Sequence, residues 1–207
     1  MKGLILKDIL NFTNHQGKLY LALVVLYFFT SLQAKDSSFL ATVGMIFGIS
    51  YVIGTFAYDE QVQWNKYVLT MPVTRRDIVT SKYLVSVIAI AVGSIISLPL
   101  SFIIDKNISM EKLMIYGLLA VAGIMFIAIS MPFVFQFGAE KSRIIMILII
   151  IIPGMAGYTL QRMNVDLIGF VEKNAKTVEI ATAVIAVVIY IFSYLLSIFI
   201  MEHKEIS

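Results

Sequence analysis

Between Asp59 and Tyr83 the chain reads DEQVQWNKYVLTMPVTRRDIVTSKY, a polar, cation-rich stretch set between two long apolar runs. Its residue types suit recognition rather than bond-making. At helical spacing Trp64, Tyr67, Val68 and Met71 fall at i, i+3, i+4 and i+7 and share one face, with Glu60, Gln63 and Lys66 largely off it. Pro72 ends the pattern, because it has no N–H to donate and its ring clashes with the preceding turn. Thr74 with Asp77 three residues on is a capping-box variant that starts a new helix. A short amphipathic rod followed by a hard turn has the form of a docking element. Its aromatic and thioether side chains offer apolar anchors, and Glu60 and Lys66 offer rim contacts.

Catalysis finds no comparable footing. Ser94 and Ser97 lie in an apolar run with no base within reach by sequence, which leaves them as packing or backbone-bonding groups. The histidines, His15 and His203, fall outside the apolar runs, so no helical His/Glu set is available to hold a metal. There is no cysteine, hence no thiolate chemistry, and no G-x-x-x-x-G-K phosphate loop. No catalytic or metal-ligating residue is expected. Uphill work would draw its energy from another polypeptide.

The elements that must position the docking stretch are hydrophobic. Of 207 residues 59% are hydrophobic and 14% charged, against roughly 25% charged in a soluble domain. Residues 1–207 are expected to form one all-α membrane domain, with no room within them for a sizeable soluble module. Six apolar runs, 19–34, 39–58, 83–104, 113–135, 144–160 and 179–201, each approach the ~20 residues that cross a hydrocarbon core. The segment 59–82 separates the second from the third. The interiors of the runs hold no ionisable side chain, which counts against ion-coupled transport and voltage sensing.

Residues 2–17 precede the first run. Ile5, Leu6, Ile9, Leu10 and Phe12 share one side of a helical wheel and Lys7, Asn11, Asn14 and His15 the other, the pattern of a helix lying on the bilayer. Polar-faced residues separate the early lysine from the apolar run, and no small-x-small site follows, so the segment is expected to be retained. Six spans put both ends on one side. A cytoplasmic assignment places Lys2, Lys7, Lys18, Lys66, Arg75, Arg76, Lys82, Lys141, Arg143 and Lys204 inside. It leaves Lys35, Lys106, Lys112, Arg162, Lys173 and Lys176 outside, interleaved with acids that include Asp166 and Glu172, and the bias has the expected sign. The net charge of +3 therefore reports topology, and no nucleic-acid partner is expected. Gly44 with Gly48, and Gly154 with Gly157, suggest close helix packing within the chain or contact between subunits. Pro99, Pro132 and Pro153 interrupt their spans, and each marks either a bend or a cavity. Tyr20, Tyr58, Tyr83 and Tyr158 read as interfacial anchors.

An acidic residue ending the second run, an aromatic helix and then M-P-V-T-R-R-D-I-V-T-S-K-Y resemble the permease subunits of type-2 ABC transporters. The small bacterial six-span exporters with a separate ATPase are similar. A second stretch agrees: Pro132-Phe133 and Gln136-Phe137-Gly138-Ala139-Glu140-Lys141-Ser142-Arg143 are similar to an inner loop F-K-F-G-Y-E-K-x-R, departing at Gln136 and Ala139. The resemblance covers essentially the whole chain. It implies a cytoplasmic coupling helix, Glu60 to Met71, seated in a cleft of an ABC ATPase. Glu60, Gln63, Trp64, Tyr67, Val68, Met71, Pro72, Arg75 and Arg76 would form the coupling site.

Arg75, Arg76 and Lys82 also fit as anchors on anionic lipid. Glu140, Lys141 and Arg143 would make a secondary contact, or a solvated turn. The resemblance further implies two ATPase copies holding ATP and Mg, no cofactor on this chain, and a second permease chain, identical or related. It implies a bacterial plasma membrane with both termini cytoplasmic. The close small members that it resembles include exporters of amphipathic peptides such as phenol-soluble modulins and peptide antibiotics, which makes such a peptide the expected cargo. Lipid, drug or sodium cargo on the same machine, or a stand-alone channel or immunity protein, are the alternatives.

Overall fold

The computed structural model describes residues 2–15, 17–68, 70–105, 110–162 and 175–204. Lys106, Asp166, Glu172 and Lys173, assigned above to outer loops, lie outside the described residues. Every regular element among the described residues is an α-helix: α1 Lys2–His15, α2 Gly17–Ala34, α3 Ser38–Gln61, α4 Trp64–Val68, α5 Arg75–Asp105, α6 Met110–Phe137, α7 Ala139–Arg162 and α8 Ala175–His203. Six of them, α2, α3, α5, α6, α7 and α8, are long and apolar enough to cross a membrane. The chain is an all-α, six-span membrane protein.

The third spanning helix is longer than its apolar run. The Thr74 hydroxyl donates to Asp77 Oδ2 at 2.8 Å and the Asp77 N–H returns a bond to Thr74 Oγ1 at 3.1 Å. That closed box starts α5 at Arg75, well before the run begins at Tyr83. At 1.5 Å rise per residue its 31 residues extend about 46 Å, against a hydrocarbon core of about 30 Å. Its first two turns are therefore free to lie beyond the apolar layer, where charged side chains are tolerated.

Helices α3, α5, α6 and α8 make the packed centre, with α2 laid against α3 and α5, and α7 against α6 and α3. The closest seam is α3 on α5. At Gly48 an added Cβ would run into Ile90 Cγ1 and stand 3.1 Å from the Ile90 Cα, so only glycine permits this approach. Gly154 and Gly157 have nothing within 4 Å of an added Cβ and take no part in packing among the described residues. Tyr20 and Tyr83, expected as interfacial anchors, are buried instead. Tyr20 stands edge-on to Phe47 at 4.9 Å, and Tyr83 stands edge-on to Tyr190 and Tyr194 at 5.2 and 5.4 Å.

The prolines do not end their helices; α7 continues through Pro153-Gly154 to Arg162. Pro132 has no N–H for the Ala128 carbonyl one turn earlier, and in an apolar layer such an orphan is costly. Ser193 of α8 supplies the missing donor to the Ala128 oxygen. The Ser193 hydroxyl also meets Tyr83 OH of α5 at 2.6 Å, and Tyr83 OH meets Ser197 at 2.8 Å. Three spans are thus laced together around the carbonyl that Pro132 releases. Ser193→Ala should lower stability in detergent by about 1–3 kcal/mol, the cost of a buried acceptor left unpaired. The double variant Pro132→Ala, Ser193→Ala should recover much of that loss, because the alanine that replaces Pro132 restores the N–H. Thermal melting of the native chain and the two variants decides it.

Candidate functional site

Both described chain ends, the 59–83 stretch and the turn between α6 and α7 gather at one end of the bundle. Lys7 of α1 and Lys82 of α5 meet Asp8 and Asp59 there in a closed square of ion pairs. Lys7 Nζ lies 3.0 Å from Asp8 Oδ1 and 2.6 Å from Asp59 Oδ1. Lys82 Nζ lies 3.1 Å from Asp8 Oδ1 and 2.6 Å from Asp59 Oδ2. The Lys82, Asp8 and Asp59 side chains are only 4%, 1% and 7% exposed. Two aromatic faces cover the ammonium groups, Trp64 4.5 Å from Lys7 Nζ and Phe56 4.9 Å from Lys82 Nζ.

This arrangement corrects one expectation. Lys82 is not a lipid anchor: it is buried among carboxylates. The side of α1 that packs on the bundle bears Leu4, Ile5 and Asp8, whereas Leu6, Ile9 and Leu10 are exposed. The wheel drawn from apolar residues overlooked Asp8, the carboxylate that the buried lysine requires. Its signal was an acid next to Lys7 in a segment otherwise free of acids.

The stretch from Asp59 to Tyr83 divides differently from its wheel. Helix α3 runs on to Gln61, so Glu60 belongs to the last turn of the second span. Gln63 takes a left-handed backbone, φ 51°, and its N–H closes on the Glu60 carbonyl at 3.1 Å, which stops α3 and frees a new helix. On α4 Val68 is fully buried and Trp64 packs on the same core, while Tyr67 is 62% exposed; Met71, in the turn after α4, is 46% exposed. Pro72 is exposed at the following turn, and Lys66 lies on α4. Of the four residues on the expected face, Trp64 and Val68 hold the rod to its own protein, while Tyr67 and Met71 are exposed.

Arg75 Nη1 donates to the carbonyls of Met201, Glu202 and Lys204 at 2.9, 2.6 and 3.0 Å, capping the end of α8. Arg76 Nε pairs with Glu202 Oε1 at 2.6 Å in an exposed bridge worth little by itself. Both arginines are thus occupied within the chain. Glu60 Oε2 accepts the Ala139 N–H at 2.7 Å, across to the first residue of α7. Gly138 beside it has φ 86°, and an added Cβ there would sit 2.5 Å from Glu60 Oε1. Lys204 Nζ donates to the Phe135 and Gln136 carbonyls at 2.7 and 3.2 Å on the same turn. Burial pushes its ammonium below the usual lysine range, and the Glu60 carboxylate partly offsets this. Glu140, Lys141 and Arg143 are exposed on the first turns of α7. Among the described residues no group of three or more His, Cys, Asp and Glu side chains is placed to hold a metal ion.

A family model described as ABC-2 family transporter protein matches residues 3–202. The chain belongs to that family. Comparison with curated proteins and with solved structures gives no match. The ABC-2 membership makes this protein the membrane-spanning transport component of an ABC transporter, a role that goes with an ABC ATPase as partner. In the permease, the charge square ties α1, α3 and α5 together beneath α4.

Removing one member of the square leaves a buried charge unbalanced, typically at about 3–5 kcal/mol. Lys82→Ala should therefore lose that much stability, read as a drop in detergent Tm. Lys82→Met combined with Asp8→Leu leaves the Lys7–Asp59 pair balanced, and should melt above either single variant.

Proposed function

We propose that this permease forms half of the path of an ATP-driven exporter of hydrophobic or amphipathic peptides in a bacterial plasma membrane, and docks its ATPase through α4 and the turn after it. The gathered end of the bundle, with both chain ends, faces the cytoplasm. Two ATPase copies bind the ATP and Mg, and a second permease chain completes the path. The observation that carries this reading is the division of α4. Val68 and Trp64 hold the rod to the core, while Tyr67 and Met71 stand exposed beside it. An exposed aromatic on a rigid, internally anchored rod suits an interface hot spot, with the exposed Gln63 and Pro72 at its margin. Nucleotide-driven closure would push this rod as a rigid body.

Co-purification with the ABC ATPases of the same genome tests the docking. Tyr67→Ala with Met71→Ala should weaken capture at least about tenfold, since hot-spot truncations cost about 1–2 kcal/mol or more each. The permease itself should elute unchanged on size exclusion. Trp64→Ala acts otherwise: it uncovers Lys7 and should lower the permease Tm. Capture that survives the double variant would place the ATPase elsewhere.

The peptide cargo rests on uncharged spans rich in Phe, Met and Ile, which suit amphipathic cargo better than hydrophilic solutes. Amphipathic helical peptides should stimulate the ATPase of the reconstituted complex in a saturable manner. A flat response alongside stimulation by lipid, drug or sodium would reassign the cargo.

A further inference from the structure

The turn between the fourth and fifth spans is a single residue. Helix α6 ends at Phe137 and α7 begins at Ala139, with Gly138 alone between them. The Gly138 N–H closes on the Val134 carbonyl at 2.9 Å, and the Gly138 carbonyl accepts from the Ser142 N–H at 3.2 Å. One residue therefore ends one span and opens the next. Its left-handed backbone, φ 86°, is open to glycine at little cost. Beyond this joint α7 is sparsely held. Its neighbours among the described residues are α6 and α3, and Ile144, Ile147, Ile150 and Ile152 along it are exposed.

At the joint stands a side chain from a distant part of the chain. Glu60 belongs to the last turn of α3, just before the left-handed Gln63 that releases the docking rod. Its Oε2 accepts the first N–H of α7, where a carboxylate also meets the positive end of the helix dipole. Its Oε1 occupies the space that a Cβ on residue 138 would need.

We propose that Glu60 is a positioning residue that straps the base of the fifth span to the docking segment, so that a push delivered at α4 swings α7 about Gly138. The proposal rests on the docking reading above, and it assigns Glu60 away from the ATPase surface. Movement of the rod pulls the end of α3, the carboxylate carries the Ala139 N–H with it, and Gly138 absorbs the backbone rotation. A span with few neighbours follows at low cost.

The native sequence has no cysteine, so introduced pairs label cleanly. Ile152→Cys on α7 and Ile191→Cys on α8, both exposed, would carry spin labels in the nanodisc-reconstituted complex with its ATPase. The distance distribution is recorded without nucleotide and with ATP and vanadate. In the native background, vanadate trapping should shift the distribution. Glu60→Ala should still capture the ATPase yet lose the shift, with peptide-stimulated transport lost in parallel. Glu60→Gln retains an acceptor oxygen for Ala139 and should retain the shift, which separates the strap from a general fault in folding. A full shift in Glu60→Ala with the ATPase bound overturns the strap and leaves the docking reading standing. Loss of ATPase capture in Glu60→Ala overturns it also, making Glu60 a contact of the ATPase. Failure of the native permease to capture any ATPase overturns the docking reading, and the strap with it.

Discussion

A buried charge must be matched, and around Lys82 that requirement organises one end of the molecule. Its ammonium is nearly sealed from solvent, so it must have carboxylates, and two helices supply them: Asp8 from α1 and Asp59 from α3. Lys7 then balances the second negative charge. Ion pairs taken out of water yield little net stability compared with apolar packing of the same volume. Their strength is in what they forbid. A shift of α1 or α3 that left one member without its partner would meet a penalty of several kcal/mol, so the three helices hold one register. Trp64 lies over the Lys7 ammonium, which seats α4 on that fixed base.

The two sides of the α4 rod are therefore different materials. One is core, continuous through Val68 with the packed centre of the bundle. The other is surface, where Tyr67, and Met71 in the turn that follows, are exposed. Arg75 and Lys204 extend the same construction to the far end of the chain by holding the last turns of α8 and α6. The rod stands on a base in which α1, α3, α5, α6, α7 and α8 are cross-linked by polar contacts. Span α2, laid against α3 and α5, contributes no ion pair to that frame among the described residues.

Local chemistry was legible in the sequence wherever it rested on neighbours along the chain. The Thr74–Asp77 box and the apolar runs depend on spacings of a few residues, and such spacings survive any tertiary arrangement. The division of α4 was not legible. Trp64, Tyr67, Val68 and Met71 satisfy one helical face, but α3 runs on to Gln61 and turns through a left-handed Gln63 before the rod begins. A five-residue helix is too short for periodicity to decide which flank is buried. The charge square was equally hidden. Lys7 and Asp59 are 52 positions apart, Asp8 and Lys82 are 74 apart, and only the fold brings them together. Lys82 and Asp59 each carried an ordinary local explanation, as a lipid anchor and as a helix-ending acid.

The hydroxyl of Ser193 reaches back to a carbonyl made 65 residues earlier, and Arg75 waits 126 residues for the Met201 carbonyl. During synthesis, then, the fourth span enters the bilayer with its Pro132 gap open, and the third with an arginine unspent. Neither can be completed by the spans that precede α8. The last helix is the clasp of the molecule, and a chain cut short before it would present the cell's quality control with an unsatisfied carbonyl at membrane depth and an arginine without its partners at the end of the bundle.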